Sequence, residues 1–139
     1  RMRLSQSLAM PAPIYLRSLQ ARTLMLTEFL ETAFAAADVL VAPVMPFVPP
    51  LSADVDIGAS PEMNRVVSAM TSFTRPFSYL GLPVVALPVA HSPEGLPVSI
   101  QIVGRPWRER EIASVARHLE RALSLKPFVP KAAPVARPA

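Results

Sequence analysis

The chain contains no cysteine. That excludes a disulfide framework and any thiolate metal site, and it is compatible with a reducing compartment; the cytoplasm is the expected location. It also lacks a long hydrophobic run. The longest uncharged apolar region, Pro76 to Ala90, is broken by Pro83 and Pro88 and is too short and too kinked to cross a bilayer, so no membrane role is expected. Lysine is nearly absent: Lys126 and Lys131 are the only two. Glycine is sparse as well, with Gly58, Gly81, Gly95 and Gly104 all isolated, and no two serines are adjacent. The body of the chain also lacks a basic excess. The formal net charge is +4, but Arg1, Arg3, Lys126, Lys131 and Arg137 lie at the ends. Removing those five leaves nine basic against ten acidic side chains in residues 4–125. A nucleic-acid surface needs basic groups clustered on a folded face, so none is expected; an RNA-binding accessory piece, suggested by a pI near 10.3, would have to act through the tails.

What the chain has in quantity is proline, 17 residues, and apolar side chains, 51% of the total. The mean hydropathy is +0.34. Soluble domains usually hold ~45–50% apolar residues. A chain of 139 residues fits one domain. A domain of that size hides only ~70% of its unfolded surface. The composition therefore suits a piece of a larger core. Leaving about 500 Å² of apolar surface uncovered would forfeit ~12 kcal/mol of burial, comparable to a domain's whole net stability.

Periodicity orders the chain. Pro11 and Pro13 precede a helical pattern over Ile14 to Ala36, with Leu16, Leu19, Leu26, Phe29, Leu30, Ala33 and Phe34 as its apolar set. Asp38 opens a short strand, Val39 to Ala42, and a proline-dense connector follows from Pro43 to Pro50. Ser60-Pro61-Glu62 starts a helix reaching Ser72, with Met63, Val66, Val67 and Met70 on one face. Two uncharged β-rich runs then each enter through Gly-Leu-Pro, at Gly81-Leu82-Pro83 and Gly95-Leu96-Pro97, separated by the turn signal His91 to Gly95. Val84 to Leu87 does not alternate, which predicts burial on both faces. Val98, Ile100 and Ile102 alternate with Ser99 and Gln101, which predicts one dry and one polar face. Since proline lacks the ladder donor, each run should stop short of an internal Pro. A last helix runs from Glu109 to Leu123 on the stripe Ile112, Val115, Ala116, Leu119 and Leu123. Residues 126–139, with Pro127, Pro130, Pro134 and Pro138, read as a disordered tail.

Thr74-x-Pro76-Phe77-x-x-x-Gly81-x-Pro83, a strand running to Pro88, and then Gly95-Leu96-Pro97-Val98-x-x-Gln101-x-Val103-Gly104 together resemble the C-terminal part of the amidase signature family. Asp38-Val39-Leu40-Val41-Ala42-Pro43 is similar to the family's Asp-x-Leu-x-x-Pro strand, and the looser likeness spans Tyr15 to Leu123. The resemblance implies an α/β fold with a mixed sheet flanked by helices. It implies hydrolysis of carboxamide C–N bonds by acyl transfer to a serine, without a cofactor, as in free amidases and the A-type subunits of glutamine amidotransferases. The family's Lys, bridging Ser and nucleophilic Ser lie in a Gly/Ser-rich segment N-terminal to the matched part, and no counterpart stands here. Residues 1–125 are therefore expected to be the C-terminal part of an amidase domain, inactive alone, with the missing N-terminal catalytic portion as its partner, a small amide as the substrate of the complete enzyme, and a homo-oligomer as one possible state. The alternative is a non-catalytic interaction module or accessory subunit docking its apolar face on a partner.

Candidate chemistry within the chain is thin. Thr74, Phe77, Ser78 and Gly81 form the loop entering the first β run. From the residues alone this is a packing loop, with Phe77 in the core and Gly81 supplying an unusual backbone conformation. The resemblance makes it a wall of the substrate pocket. The family often carries Asn at the position of Ser78 and Gly at that of Ser99, so the local pocket shape differs. Gln101 is expected to bond loop backbone. His91-Ser92 pairs a base with a hydroxyl, but sequence neighbours rarely adopt nucleophile–base geometry, and the dipeptide reads as a turn. His118 reads as a solvated helix residue. Asp54 and Asp56 lack the further partners that a metal or acid–base pair needs and read as loop charges. Arg105, Arg108 and Arg110 surround Trp107 but are offset by Glu109 and Glu111, so Trp107 reads as an anchor at a strand-to-helix junction rather than a phosphate-stacking site.

Overall fold

The computed structural model describes residues 10–50, 55 and 61–124. The expectations for Asp54, Asp56, the Ser60 cap and the 126–139 tail lie outside the described residues. The order of elements is α1 (Ala12–Ala33), β1 (Val39–Pro43), α2 (Pro61–Met70), α3 (Arg75–Leu80), β2 (Val84–His91), β3 (Pro97–Gly104) and α4 (Glu109–Leu123).

The two Gly-Leu-Pro runs form a β2–β3 hairpin. Its turn closes through Ser92, whose carbonyl accepts the Gly95 N–H at 2.9 Å and whose N–H donates to Leu96 O at 2.8 Å. Gly95 sits at φ +82°, a region that costs a side-chained residue about 1–2 kcal/mol. The Ser92 hydroxyl accepts the Leu96 N–H at 3.2 Å, so the serine of the His91-Ser92 pair is occupied by the turn, as expected, while His91 is exposed. β1 pairs with the other side of β3. The described sheet is antiparallel with order β1-β3-β2. Its register places Leu40 opposite Val103 and Val85 opposite Ile102.

Pairing across the ladder puts Val85, Leu87, Ile100 and Ile102 on one face and Leu40, Gln101 and Val103 on the other. α4 covers the first face: Ile112 and Ala116 pack with Leu87 and Ile102. The C-terminal half of α1 and all of α3 cover the second, where Phe34, Leu80, Leu82 and Val103 form a core bordered by Leu26, Phe29, Leu30 and Phe77. The result is a three-layer α/β unit.

Several expectations change. First, β2 runs through Pro88 to His91 instead of stopping at Leu87. It tolerates the proline because β2 is an edge strand among the described residues and residues alternate in direction: Val85 and Leu87 turn their backbone groups to β3, and Pro88 turns its nitrogen away. Second, β2 alternates buried and exposed, with Leu87 buried and Val84, Ala86 and Pro88 exposed, rather than being covered on both faces. Third, the face of β3 bearing Gln101 is not a wet face: Gln101 and Val103 are both buried under the α1–α3 layer. Fourth, the long helix ends at Ala33, because Phe34 leaves it (φ −101°, ψ 11°) to become fully buried. The second helix likewise stops at Met70. The Thr71 and Ser72 hydroxyls donate back to Val67 O and Ala69 O, both at 2.8 Å, competing with a continued helical ladder.

Candidate functional site

The segment singled out by sequence folds into α3, a six-residue helix between α2 and β2. Pro76 lies in its first turn, where no N–H is required. Gly81 ends it at φ +72°, and the N–H groups of Gly81 and Leu82 both donate to Phe77 O, at 2.9 and 3.1 Å. A Cβ at position 81 would collide with the Arg22 guanidinium. The left-handed backbone is what asks for glycine here, and a larger residue would also displace the end of the Arg22 side chain.

The four residues divide into two pairs. Phe77 and Gly81 are structural on their inner side. Phe77 is half-buried in the α1–α3 core, edge-on to Phe29 with ring centroids 6.1 Å apart. Thr74 and Ser78 occupy successive turns, joined by Ser78 N–H donating to Thr74 O at 3.1 Å. The Thr74 hydroxyl donates to Thr71 O at 3.3 Å, and Ser78 is exposed. The structure thus places the Thr74 hydroxyl just before a short helix and the Ser78 hydroxyl on it, with Phe77 packing beneath and a left-handed glycine ending it.

Gln101 fixes this helix relative to the sheet. Its side chain is 1% exposed, and its amide donates to Pro43 O at 2.8 Å and to Phe73 O at 3.0 Å. One side chain on the central strand therefore ties the end of β1 to the residue before Thr74. It bonds loop backbone, as the sequence suggested. Three arginines complete the scaffold by donating to main-chain carbonyls: Arg22 to Leu80 O at 3.4 Å, Arg105 to Phe34 O at 2.6 Å, and Arg75 to Ser68 O. Arg105 also lies 5.1 Å above the Phe34 ring. Tyr79 donates its hydroxyl to Ser18 O, a second tie between α3 and α1 that sequence reading did not anticipate.

Chemistry-bearing groups elsewhere are dispersed. Among the described residues there is no lysine, and both ion pairs, Arg65–Glu62 at 3.4 Å and Arg108–Glu111 at 2.7 Å, are exposed pairs within a helix or at its start. His118 is exposed on α4, as expected. Glu94 has its carboxyl held below the usual range, first by the Ser92 hydroxyl and then by backbone, which belongs to the hairpin turn. A cleft of about 110 Å³ between the Val44–Pro49 connector and the start of β3 is apolar, and small beside the ~300–1,000 Å³ typical of ligand pockets. Trp107 is not an anchor among the described residues. It is 91% exposed, at φ +64°, on a turn closed by Arg108 N–H donating to Arg105 O at 3.1 Å. The turn directs the ring outward, away from both layers.

Comparison with known proteins gives this scaffold a family. The family model described as Amidase matches residues 1–113. The A-type subunit of glutamyl-tRNA(Gln) amidotransferase from Protochlamydia amoebophila (strain UWE25) is 32% identical over 117 residues, which is 84% of this chain and 22% of that protein. Fatty acid amide hydrolase of Oryza sativa subsp. indica is 36% identical over 89 residues, 63% of this chain and 14% of that protein. Among solved structures, a crystal structure of an amidase is 31% identical, with TM-score 0.69, covering 86% of this chain and 27% of the other. The fold also matches 6-aminohexanoate cyclic dimer hydrolase in its complex with substrate, with TM-score 0.72 at 23% identity over 84% of this chain and 26% of that one. The chain spans about a fifth of the length of the curated amidotransferase relatives it matches. With the α3–β2–β3 scaffold and these matches in agreement, the chain belongs to the amidase family.

Proposed function

We propose that this chain is the scaffolding part of an amidase domain that cleaves carboxamide C–N bonds, and that α3 lends that domain one wall of its substrate pocket. The observation that carries this reading is the family match across residues 1–113, set against a described body that holds no lysine. In the complete domain, a serine outside this span attacks the amide carbonyl. The C–N bond breaks, the amine leaves with a proton relayed from the attacking hydroxyl, and water then cleaves the acyl ester to give the acid and free serine. Backbone N–H groups stabilise the oxyanion. The part played by this chain is to orient: Thr74 and Ser78 face the acyl side of a small amide, with Phe77 and Gly81 holding the helix that presents them. Relatives named as a subunit of an amidotransferase support partner chains as well, and a cytoplasmic setting is part of the same proposal. A second reading, an accessory module docking through its apolar surface, is favoured by one observation: α1 exposes Ile14, Tyr15, Leu16, Leu24 and Met25.

The test is a graft. The whole chain is fused in place of the corresponding segment of the 31%-identical amidase, and hydrolysis of a simple amide is followed. Ser78→Phe should raise KM by about tenfold, the effect of ~1.4 kcal/mol of lost binding, with the melting temperature unchanged. An unchanged KM in both Ser78→Phe and Thr74→Val would remove α3 from the pocket.

A further inference from the structure

We infer that the sheet continues at the free edge of β1, not at that of β2, and that β1 receives a strand from the part of the amidase domain lying outside the matched span; this rests on the reading of the chain as part of such a domain. Two hydrogen bonds set the direction of every backbone group. Gly104 N–H donates to Pro83 O, toward β2, and Ser99 O accepts from Val44 N–H, toward β1. Groups alternate along a strand, so Val103 and Gln101 address β1 while Ile102 and Ile100 address β2. The register then turns Leu40 and Ala42 of β1 inward and leaves Val39 and Val41 pointing out. On β2 it turns Val85 and Leu87 inward and leaves Val84, Ala86 and Pro88 pointing out.

The two edges are built differently. The outer edge of β2 carries a proline that offers no donor, a register shift between Pro88 and Ala90, and then His91. Proline, bulges and polar side chains are the devices by which proteins close an edge to further pairing. β1 has no such device before its last residue. Val39-Leu40-Val41-Ala42 is apolar on both faces, the pattern of an interior strand, yet Val41 is exposed at the rim. The nearest charge, Asp38, precedes the strand. An apolar, uncharged edge left open is an aggregation hazard, and natural chains keep one where a strand fills it.

The occupant follows from the length of the relatives. The solved amidase is matched over only 27% of its chain at TM-score 0.69, so most of that chain lies outside a unit of this shape. A strand from that remainder would pair with Val39 and Val41, while the layers beside it cover the exposed sides of Val41 and α1. A second copy of this chain would add a strand but leave the apolar side chains of α1 in water.

The same graft tests this by hydrogen exchange, with peptides covering residues 39–43 and 84–91 followed in the graft and in the free chain. The β1 peptide should gain protection in the graft, with its fastest amides slowing by at least ~10-fold, and the outward amides of the β2 peptide should not. Val41→Pro removes only an outward donor. It should lower the yield of folded graft severalfold while leaving the free chain's far-ultraviolet spectrum intact; Ala86→Pro should do neither. Protection of the β2 peptide without the β1 peptide in a folded graft would overturn the inference while leaving the amidase reading in place. Concentration-dependent protection of β1 in the free chain would assign the edge to a second copy and overturn it too. A graft that never folds, beside a free chain that melts cooperatively as a monomer, would overturn the amidase reading and this inference with it.

Discussion

The two long helices of this chain solve the burial problem in opposite ways. α4 turns Ile112 and Ala116 onto the sheet and gives water a charged surface of Glu109, Arg110, Arg117 and Glu120. α1 is seven residues longer and buries none of its residues fully; Leu24 is 76% exposed, and Ile14, Leu16 and Met25 are exposed beside it. Only its C-terminal half meets the core, through Leu26, Phe29, Leu30 and Ala33. A helix that is apolar on several sides is normally a buried helix. α4 is finished among the described residues, whereas α1 leaves apolar side chains uncovered, as the proposed scaffold part of a larger domain would. The open β1 edge and the outward Trp107 fit the same division.

That contrast is sharpened first by mutating its finished side. Ile112→Ala leaves a cavity between α4 and the sheet and should cost about 2–5 kcal/mol in thermal or denaturant unfolding. Gly104→Ala attacks the same contact from the strand, since its Cβ would lie 2.6 Å from the Ile112 side chain; overpacking should cost about 1–3 kcal/mol. Next comes the ligature between α3 and α1. Gly81→Ala imposes a left-handed alanine against Arg22 and should cost about 1–2 kcal/mol or more, with Arg22→Ala partly restoring the loss. The unfinished side should respond in the reverse sense. Leu24→Gln or Ile14→Gln should change the free chain's stability by no more than about 0.5 kcal/mol and reduce its self-association in sedimentation, yet weaken the folded graft. A loss of several kcal/mol in the free chain would show that α1 already has its cover.

The smallest effect belongs to the hairpin. Ser92→Ala removes the bond that lowers the Glu94 pKa, which should return toward the ordinary carboxylate value in an NMR titration. The depressed pKa means that this bond favours the folded state above the unfolded carboxylate pKa. Its contribution fades as pH falls through the folded value. With Glu94 fully exposed, the shift itself is the readout.

Legibility in the sequence followed the same line between finished and unfinished parts. The limits of α4, Glu109 and Leu123, were readable because its apolar stripe and charged face are both complete within it. The hairpin was readable because Ser92, Pro93 and Gly95 encode a turn by local chemistry alone. α3 was read as a loop because six residues are too few to display a helical period. The passage of β2 through Pro88 was hidden because its tolerance depends on which neighbour is absent, a property of the sheet and not of the strand. Trp107 was misplaced for a related reason: a large aromatic is normally buried, whereas the positive-φ turn at 107 turns this one outward. The resemblance pointed to Thr74, Phe77, Ser78 and Gly81 as a pocket wall, and the structure shows how each is held on or beside α3.

The most direct measurement of the dependence claimed here is amide turnover by the purified 139-residue chain, followed beside the graft under the same conditions. The chain should leave a simple amide intact while the graft hydrolyses it. Hydrolysis by the free chain that vanishes when one of its own side chains is replaced would contradict the account.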